Sequence, residues 1–213
     1  MTFDLSLYLV LDPDLCRDHS MIETTLAAIR GGASMVQLRD KNARTEDMIR
    51  TGRALMAAMA GSNVPLIVND NIDVALAINA HGLHVGQDDM PADMARQKLG
   101  AGKILGLSVE NEAAMLRAVD PAIVDYVGVG PVFATATKPG HKPAIGLDGL
   151  KHLVGLSSLP SVAIGGLKAE HASAVIAAGA QGMAVVSAIC GQPNPKAATR
   201  LLAREILAAS AAR

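Results

Sequence analysis

Short apolar runs, many of them β-branched, recur along this chain at intervals of roughly 20–30 residues. Eight of these runs predict strands, at residues 7–12, 34–40, 65–70, 82–86, 103–109, 126–132, 161–166 and 182–189. Most are separated by Ala-rich stretches with helical spacing, such as "EDMIRTGRALMAAMA" and "AEHASAVIAAGA". Because near-continuous apolar strands are typical of parallel sheets covered by helices, the pattern predicts an α/β fold.

The eight strand–helix units continue through residues 1–213 without a break in composition. This predicts a single domain, a compact (β/α)8 TIM barrel. The alternative is an open doubly wound sheet, which usually carries a glycine-rich nucleotide loop after its first strand. Here that segment reads "LDPDLCRD", which favours the barrel. Active sites in barrels lie at the carboxyl ends of the strands, so polar residues there are the first candidates for function.

Composition narrows the class of partner. Half of the 213 residues are hydrophobic, 18% are charged, and the formal net charge is −1. This balance argues against a general nucleic-acid or membrane-surface binder, because both need a basic surface. No apolar run reaches the roughly 18 residues of a membrane span, and the amino terminus has no basic start. Two cysteines without metal or redox spacing fit a reducing compartment, so we expect a cytoplasmic protein, and its Ala-rich helices leave a homodimer open.

The stretch "VQLRDK" begins as a buried strand and then places Gln37, Arg39 and Lys41 on one face, because side chains two apart in a strand share a face. Unpaired cations are costly inside a barrel, but near the upper rim they can bind an anion. Arginine offers a planar fork that matches phosphate, and lysine offers a point charge. The alternative is an internal ion pair with carboxylates of the rim.

The next two strands end in "VND", with Asn69 and Asp70, and in "VGQDD", with Asp88 and Asp89. Neighbouring strands of a barrel bring these ends together. Carboxylates beside a phosphate site suit Mg²⁺, which takes hard oxygen ligands and completes its shell with water and substrate phosphates. The alternative is that these carboxylates only cap the helices that follow.

A serine and a long loop follow the fifth and sixth strands. Ser108 has no G-x-S-x-G context, so we do not interpret it as a nucleophile. The stretch "PVFATATKPGHKPAIG" is not helical in pattern and holds Thr135, Thr137 and Lys138 close together. Hydroxyls with a lysine suit a diphosphate, and long loops in compact domains are usually functional or mobile. The alternative is an exposed surface loop.

The last two strands predict a second anion site. Glycines that include Gly166 follow the seventh strand, and Val186 and Ser187 lie at the end of the eighth. In barrels this position presents backbone N–H groups to a phosphate. His81 and His84, by contrast, fall around the start of the fourth strand, far from that rim, so we expect them to be structural.

A family resemblance follows from these motifs. In order and spacing, "QLRDK", "VND", "HVGQDD", "LGLS", "YVGVGPVFATATK" and "AIGGL" resemble the thiamine phosphate synthase (thiamine-phosphate pyrophosphorylase) family, from about Tyr8 to Ile189. The resemblance implies a (β/α)8 barrel and a transferase with small-molecule substrates. Such an enzyme joins 4-amino-5-hydroxymethyl-2-methylpyrimidine diphosphate to hydroxyethylthiazole phosphate, giving thiamine phosphate and diphosphate, with Mg²⁺.

The resemblance also implies roles for individual residues. Those implied to bind the pyrimidine diphosphate are Gln37, Arg39, Lys41, Asn69, Ser108 and Lys138. Those implied to bind the thiazole phosphate are Thr135, Thr137, Gly166, Val186 and Ser187. The implied Mg²⁺ ligands are Asp70 and Asp89, and the implied catalytic groups are Arg39, Lys41, Ser108 and Lys138.

Two departures from the family are visible. After "GLS" the chain reads "VEN", which ends at Asn111, whereas the family often has a histidine two residues after the serine. Ala134 stands where proline is common. The alternatives are a thiazole tautomerase-type isomerase, which leans on a histidine in that region, and a non-catalytic regulatory barrel of the same superfamily. The intact set of cations and carboxylates favours the synthase.

Overall fold

The computed structural model describes residues 3–109, 119–135 and 143–213. The strands are β1 Leu7–Val10, β2 Met35–Leu38, β3 Leu66–Asn69, β4 Gly82–Val85, β5 Ile104–Val109, β6 Tyr126–Val129, β7 Ser161–Ile164 and β8 Gly182–Val185. The helices within those ranges are α1 Met21–Gly31, α2 Thr45–Ala58, α3 Ile72–Ala77, α4 Ala92–Leu99, α5 Gly146–Leu156, α6 Ala172–Ala177 and α7 Pro195–Ala211, with a 3₁₀ turn at Ala169–His171. The connection between β5 and β6, where the barrel pattern requires a helix, includes residues 110–118, which lie outside the described residues.

The eight strands are parallel and form a closed barrel, because β1 pairs with both β2 and β8. The predicted (β/α)8 barrel is therefore confirmed, and the open doubly wound alternative is wrong. Since every strand runs in the same direction, all eight carboxyl ends open on one mouth.

The strands are shorter at the mouth than the sequence pattern predicts. Strand β2 ends at Leu38, two residues before its predicted end, and β8 ends at Val185, four residues before its predicted end. Ladder pairing stops where each chain turns toward its helix, so Arg39, Lys41, Val186 and Ser187 lie in the loops that surround the mouth.

Apolar side chains pack in two layers, one on each face of the barrel sheet. The inner layer includes Tyr8, Met35, Ile67 and Tyr126, which fill the barrel itself. The outer layer joins the strands to the surrounding helices. Because each strand buries both faces, its sequence is almost continuously apolar. Within the described ranges, no helix has both the length and the apolar character that crossing a bilayer requires.

Polar side chains fix where several helices begin. Ser20 accepts the N–H of Glu23 at the start of α1, and Asn71 accepts the N–H of Val74 at the start of α3. Such caps satisfy backbone donors that have no partner within the helix. The Asn71 cap bears on the site, because it leaves the preceding Asp70 to face the barrel mouth.

Candidate active site

A cavity of about 180 Å³ opens at the carboxyl ends of the strands. The predicted site residues that line it are Gln37, Arg39, Lys41, Asn69, Asp70, Asp89, Ser108, Thr135, Gly166, Val186 and Ser187. Thr137 and Lys138, which were predicted for the same site, lie outside the described residues. Side chains that are far apart in sequence are thus brought together by the barrel.

The loop after β2 supplies the cationic side of this cavity. The Lys41 ammonium donates to Oδ2 of Asp70 and forms an ion pair with it. Arg39 lines the cavity and forms no ion pair with any residue in the described part of the chain. The ion-pair alternative therefore accounts for Lys41 but leaves the Arg39 guanidinium available to an anion.

Asp70 and Asp89 supply the acidic side. Oδ2 of Asp70 also accepts from Nδ2 of Asn69 at 2.6 Å, and Oδ2 of Asp89 accepts the N–H of Gly86 at 2.7 Å. Burial first, and then a hydrogen bond with Asp89, raise the pKa of Asp70 to about 6 despite the opposing effect of Lys41. The two carboxyl groups are therefore close enough that ionising both is unfavourable without added positive charge.

The helix-capping alternative for these carboxylates is wrong. Asn71, not Asp70, caps α3 with its side chain. Pro91 stands at the N-cap of α4, which has no side-chain cap bond. Neither aspartate of the mouth is therefore needed to begin a helix, although Asp89 does close the turn that starts at Gly86.

The chemistry of this donor set fits Mg²⁺. Two carboxylates offer hard oxygen ligands, and their mutual repulsion is what a divalent cation relieves. Within residues 3–109, 119–135 and 143–213, no three or more His, Cys, Asp or Glu side chains are grouped to hold a metal. A site with only two protein carboxylates is typical of Mg²⁺ that is also bound by substrate phosphates.

Glycines and backbone N–H groups form the opposite wall of the cavity. Gly165 and Gly166 have φ of 100° and 65°, a region that L-residues rarely adopt. A Cβ on Gly166 would also lie 2.8 Å from the carbonyl oxygen of Ala134. The N–H groups of Gly166 and Ser187 donate to no partner among the described residues. Within residues 3–109, 119–135 and 143–213, nothing therefore competes with an anion for these two donors.

A wider groove adjoins the cavity on the side of the β1 loop. Its volume is about 840 Å³, and it shares Arg39, Lys41, Thr135, Gly166 and Ser187 with the cavity. The two spaces are thus continuous past the cations.

Comparison with known proteins settles the family. Residues 7–189 match the family described as "Thiamine monophosphate synthase". The chain is 50% identical over 208 residues to a thiamine-phosphate synthase of Xanthobacter autotrophicus, covering 97% of this chain and 98% of the relative. It is 46% identical over 195 residues to one of Roseiflexus sp., covering 92% and 82% respectively.

The chain belongs to the thiamine monophosphate synthase family. A solved structure titled thiamine phosphate pyrophosphorylase, from Pyrococcus furiosus, superimposes with a TM-score of 0.86 at 33% identity, covering 96% of both chains. A 3-hexulose-6-phosphate synthase structure superimposes with a TM-score of 0.71 at 19% identity, which shows a shared fold only. The resemblance of the motifs in the sequence is therefore confirmed.

In this member of the thiamine monophosphate synthase family, the polar side chains of the cavity that the sequence pattern did not predict include Tyr8 and His84. The expectation that His84 lies far from the rim is wrong, because it lines the cavity and contacts Ser108. A signal was present: Gly82, His84 and Gly86 alternate, so His84 shares the inward face with a residue of the mouth. The expectation for His81 is confirmed, since its Nδ1 accepts the N–H of Leu66 at 3.0 Å.

The two departures from the family pattern fall at different places. Asn111 lies outside the described residues. Ala134 is exposed and precedes Thr135 in the loop after β6, where its carbonyl oxygen faces Gly166. The backbone of Ala134, rather than its side chain, therefore contacts the glycine wall of the site.

Proposed function

We propose that this chain is a thiamine phosphate synthase, a transferase that joins the aminopyrimidine diphosphate to the thiazole phosphate and releases diphosphate. Family membership across residues 7–189 supports the reaction. The single observation that carries it at the level of the site is the meeting of Arg39, Lys41, Asp70 and Asp89 at one barrel mouth. Positive charge and metal-type carboxylates at one place are what a diphosphate leaving group needs.

The proposal assigns the two substrates to two sides of the mouth. The pyrimidine diphosphate lies against the residues from β2 to β5: Gln37, Arg39, Lys41, Asn69 and Ser108. The thiazole phosphate lies against the residues from β6 to β8: Thr135, Gly166, Val186 and Ser187. Thr137 is assigned to the thiazole phosphate and Lys138 to the pyrimidine diphosphate from the sequence resemblance alone, because both lie outside the described residues.

The bond changes need no protein nucleophile. The C–O bond between the pyrimidine methylene and the diphosphate breaks, and both electrons leave with the oxygen. The aminopyrimidine delocalises the resulting cation. The thiazole nitrogen then donates its lone pair to the methylene carbon, which forms the new C–N bond of thiamine phosphate.

The protein's own part in this scheme is electrostatic and positional. Arg39 and Lys41 stabilise the negative charge that grows on the leaving oxygens. Apolar walls that include Val162, Ile164 and Ala184 keep water from the cation. Holding both partners in one pocket replaces an encounter in solution by a reaction within a complex.

Asp70 and Asp89 are the residues that would hold Mg²⁺ in this proposal. When bound, the ion would add positive charge beside the diphosphate oxygens. The support for this assignment is the raised pKa of Asp70 and its hydrogen bond with Asp89, which mark a carboxylate pair short of positive charge.

The direct test supplies both substrates with Mg²⁺ and measures thiamine phosphate and diphosphate. We expect equal amounts of the two products. An Asp89→Asn variant should lose most of kcat and much of its Mg²⁺ dependence. Asp88→Asn is the matched control, because Asp88 is an exposed neighbour that does not line the cavity.

The same assay separates the alternatives. A tautomerase-type isomerase would interconvert thiazole carboxylate phosphate isomers and release no diphosphate. A regulatory barrel would bind the ligands without turnover. Absence of thiamine phosphate in every condition would therefore overturn the proposal.

Location and assembly are part of the proposal as well. A cytoplasmic enzyme fits two phosphorylated substrates and the free thiols of Cys16 and Cys190. A homodimer fits the exposed leucines of α7, Leu201 and Leu207. Analytical ultracentrifugation over a range of concentrations tests the dimer, and a monomer at every concentration contradicts it.

A further inference from the structure

A chain of hydrogen bonds runs through the barrel interior beneath the cavity and ends at a site residue on each side. Nε2 of Gln37 donates to the hydroxyl of Tyr8 at 2.7 Å, and the Tyr8 and Tyr126 hydroxyls are 3.0 Å apart. The Tyr126 hydroxyl lies 2.9 Å from Nδ1 of His84, and Nε2 of His84 lies 2.8 Å from Oγ of Ser108. The chain therefore links β2 to β5 across the barrel rather than along its sheet.

Two glycines make the room for this chain. A Cβ on Gly106 would lie 2.2 Å from Cζ of Tyr126 and 2.5 Å from Nδ1 of His84. A Cβ on Gly128 would lie 3.3 Å from Cε1 of His84. The rings thus occupy volume that other side chains would fill in the barrel core, which leaves little freedom for either ring to turn.

One direction of this hydrogen-bond network gives every tyrosine hydroxyl proton an acceptor inside the barrel. Burial raises the pKa of both tyrosines, so each keeps one hydroxyl proton near neutral pH. Tyr8 accepts from Gln37. In that direction Tyr8 donates to Tyr126 and Tyr126 donates to Nδ1 of His84, over the two contacts of 3.0 and 2.9 Å. A neutral imidazole with an acceptor at Nδ1 carries its proton at Nε2. Nε2 then donates to Ser108, whose own hydroxyl proton is left for the cavity.

We propose that Tyr8, Tyr126 and His84 are positioning residues that set the hydrogen-bond polarity at both ends of the pyrimidine diphosphate site. At one end they hold Ser108 as a donor, which suits an oxygen of the leaving diphosphate. At the other they occupy the Gln37 amide nitrogen, which turns its carbonyl toward an N–H of the substrate. The substrate assignment rests on the proposed function, whereas the polarity is a property of the free protein.

The polarity has a consequence for specificity. The Gln37 carbonyl accepts an amino group on the pyrimidine and opposes the carbonyl of a 4-oxo analogue, because two acceptors would then face each other. A buried polar group that meets the wrong partner discriminates strongly between substrates. The chain therefore makes the site select the aminopyrimidine.

The ring protonation of His84 is the first test. Two-bond ¹H–¹⁵N correlation spectra of ¹⁵N-histidine-labelled protein show which ring nitrogen carries the proton, and a His84→Asn variant identifies the signals. We expect a neutral ring protonated at Nε2. A proton on Nδ1 would mean that the chain runs the other way and would overturn the proposal. Should His84→Asn not fold, Ser108→Ala identifies the ring by perturbing only its Nε2 signal.

Tyrosine variants test whether the chain acts on the site. Tyr126→Phe should weaken the preference for the Nε2 proton and lower kcat/KM for the pyrimidine diphosphate about tenfold, with KM for the thiazole phosphate unchanged. Tyr8→Phe should reduce discrimination against the 4-oxo analogue about tenfold, since the Gln37 amide can then turn. Ser161→Ala removes a buried hydroxyl that is not part of this hydrogen-bond network, so it should leave the His84 signals unchanged.

These outcomes separate the inference from the function on which it builds. If the wild-type protein makes no thiamine phosphate, the proposed function fails, and the spectra still decide the polarity. If both tyrosine variants lose only thermal stability, with ring protonation, kcat/KM and discrimination unchanged, the hydrogen-bond network has only a structural role and the proposal is overturned.

Discussion

Lys41 and Asp70 form an ion pair between the loops that follow β2 and β3, and the same Asp70 carboxyl group is hydrogen-bonded to Asp89. A single carboxylate thus lies between a cation and a second acid. This arrangement couples the proposed diphosphate site to the proposed metal site. A substitution in one of the two sites should therefore change binding at the other.

Removing the Lys41 charge should affect the reaction far more than the fold. The Lys41 side chain is 52% exposed, and exposed ion pairs stabilise proteins by about 0–1 kcal/mol. A Lys41→Gln variant should therefore keep its free energy of unfolding within about 1 kcal/mol. Its kcat/KM for the pyrimidine diphosphate should fall about 10- to 100-fold, because a charge-assisted hydrogen bond to phosphate is lost. Steady-state kinetics and urea unfolding on the same preparations measure the two effects. If the ion pair were merely structural, the variant would lose stability along with activity.

The Asp70 carboxyl group predicts a pH dependence of stability in the metal-free protein. Its pKa is raised to about 6 in the folded state, so its stabilising contribution is complete below the unfolded pKa. That contribution is lost as the pH rises through about 6. In EDTA, the free energy of unfolding of the wild type relative to Asp70→Asn should fall by about 2 kcal/mol between about pH 4 and pH 7. Asparagine tolerates the positive φ of 59° at this position, so the backbone is little changed.

Urea unfolding at several pH values measures this difference. The free energy of unfolding of the wild type, relative to that of the asparagine variant, should be lowest at the highest pH. A difference that stays constant from acid to neutral pH would show that Asp70 has an ordinary pKa, and the carboxylate pair would then need no added charge.

Arg39 should control the affinity for diphosphate. Because it lines the cavity without an ion pair among the described residues, its guanidinium is available to the anion. Arg39→Gln should weaken the binding of inorganic diphosphate about 10- to 100-fold in isothermal titration calorimetry, with the circular dichroism spectrum unchanged. Arg53→Gln removes an exposed arginine of α2 and is the matched control. Equal affinities for the two variants would place the anion elsewhere.

Gly166 should control the monophosphate side. An alanine there would adopt a positive φ of 65°, and its Cβ would lie 2.8 Å from the carbonyl oxygen of Ala134. The wall must shift, so KM for the thiazole phosphate should rise about tenfold or more, with a smaller change in KM for the pyrimidine diphosphate.

Gly61→Ala provides the control for this variant. Gly61 also has a positive φ, of 82°, but a Cβ there meets nothing within 4 Å. It therefore reports the cost of the backbone conformation alone. If Gly166→Ala and Gly61→Ala behave alike in both KM values, close backbone approach to a phosphate is not the reason for the glycine.

Periodicity was sufficient to predict the barrel and its mouth, because a strand buried on both faces leaves a long apolar run that ends where the loop begins. The polar residues that follow β2, β3 and β4 could be assigned to one site for the same reason: parallel strands of a closed barrel have their carboxyl ends together. The face shared by Gln37, Arg39 and Lys41 required only the two-residue repeat of a strand.

Sequence reasoning failed where function depends on which side chain fills the barrel interior. His84 lies within an apolar strand, and a polar residue there satisfies its hydrogen bonds with residues from other strands that no local pattern connects. Tyr8 and Tyr126 are 118 positions apart in the chain and meet only through barrel closure. Register alone would place Gly106 beside both His84 and Tyr126, but that register is known only from the fold.

The most direct measurement of the central claim is a crystal structure with diphosphate bound and Mn²⁺ in place of Mg²⁺, the metal being located by its anomalous scattering. The proposal predicts one metal peak between the carboxylates of Asp70 and Asp89, with diphosphate oxygens bound to the metal and to Arg39. A metal peak away from both carboxylates, or diphosphate bound away from the β2 end of the mouth, would contradict it.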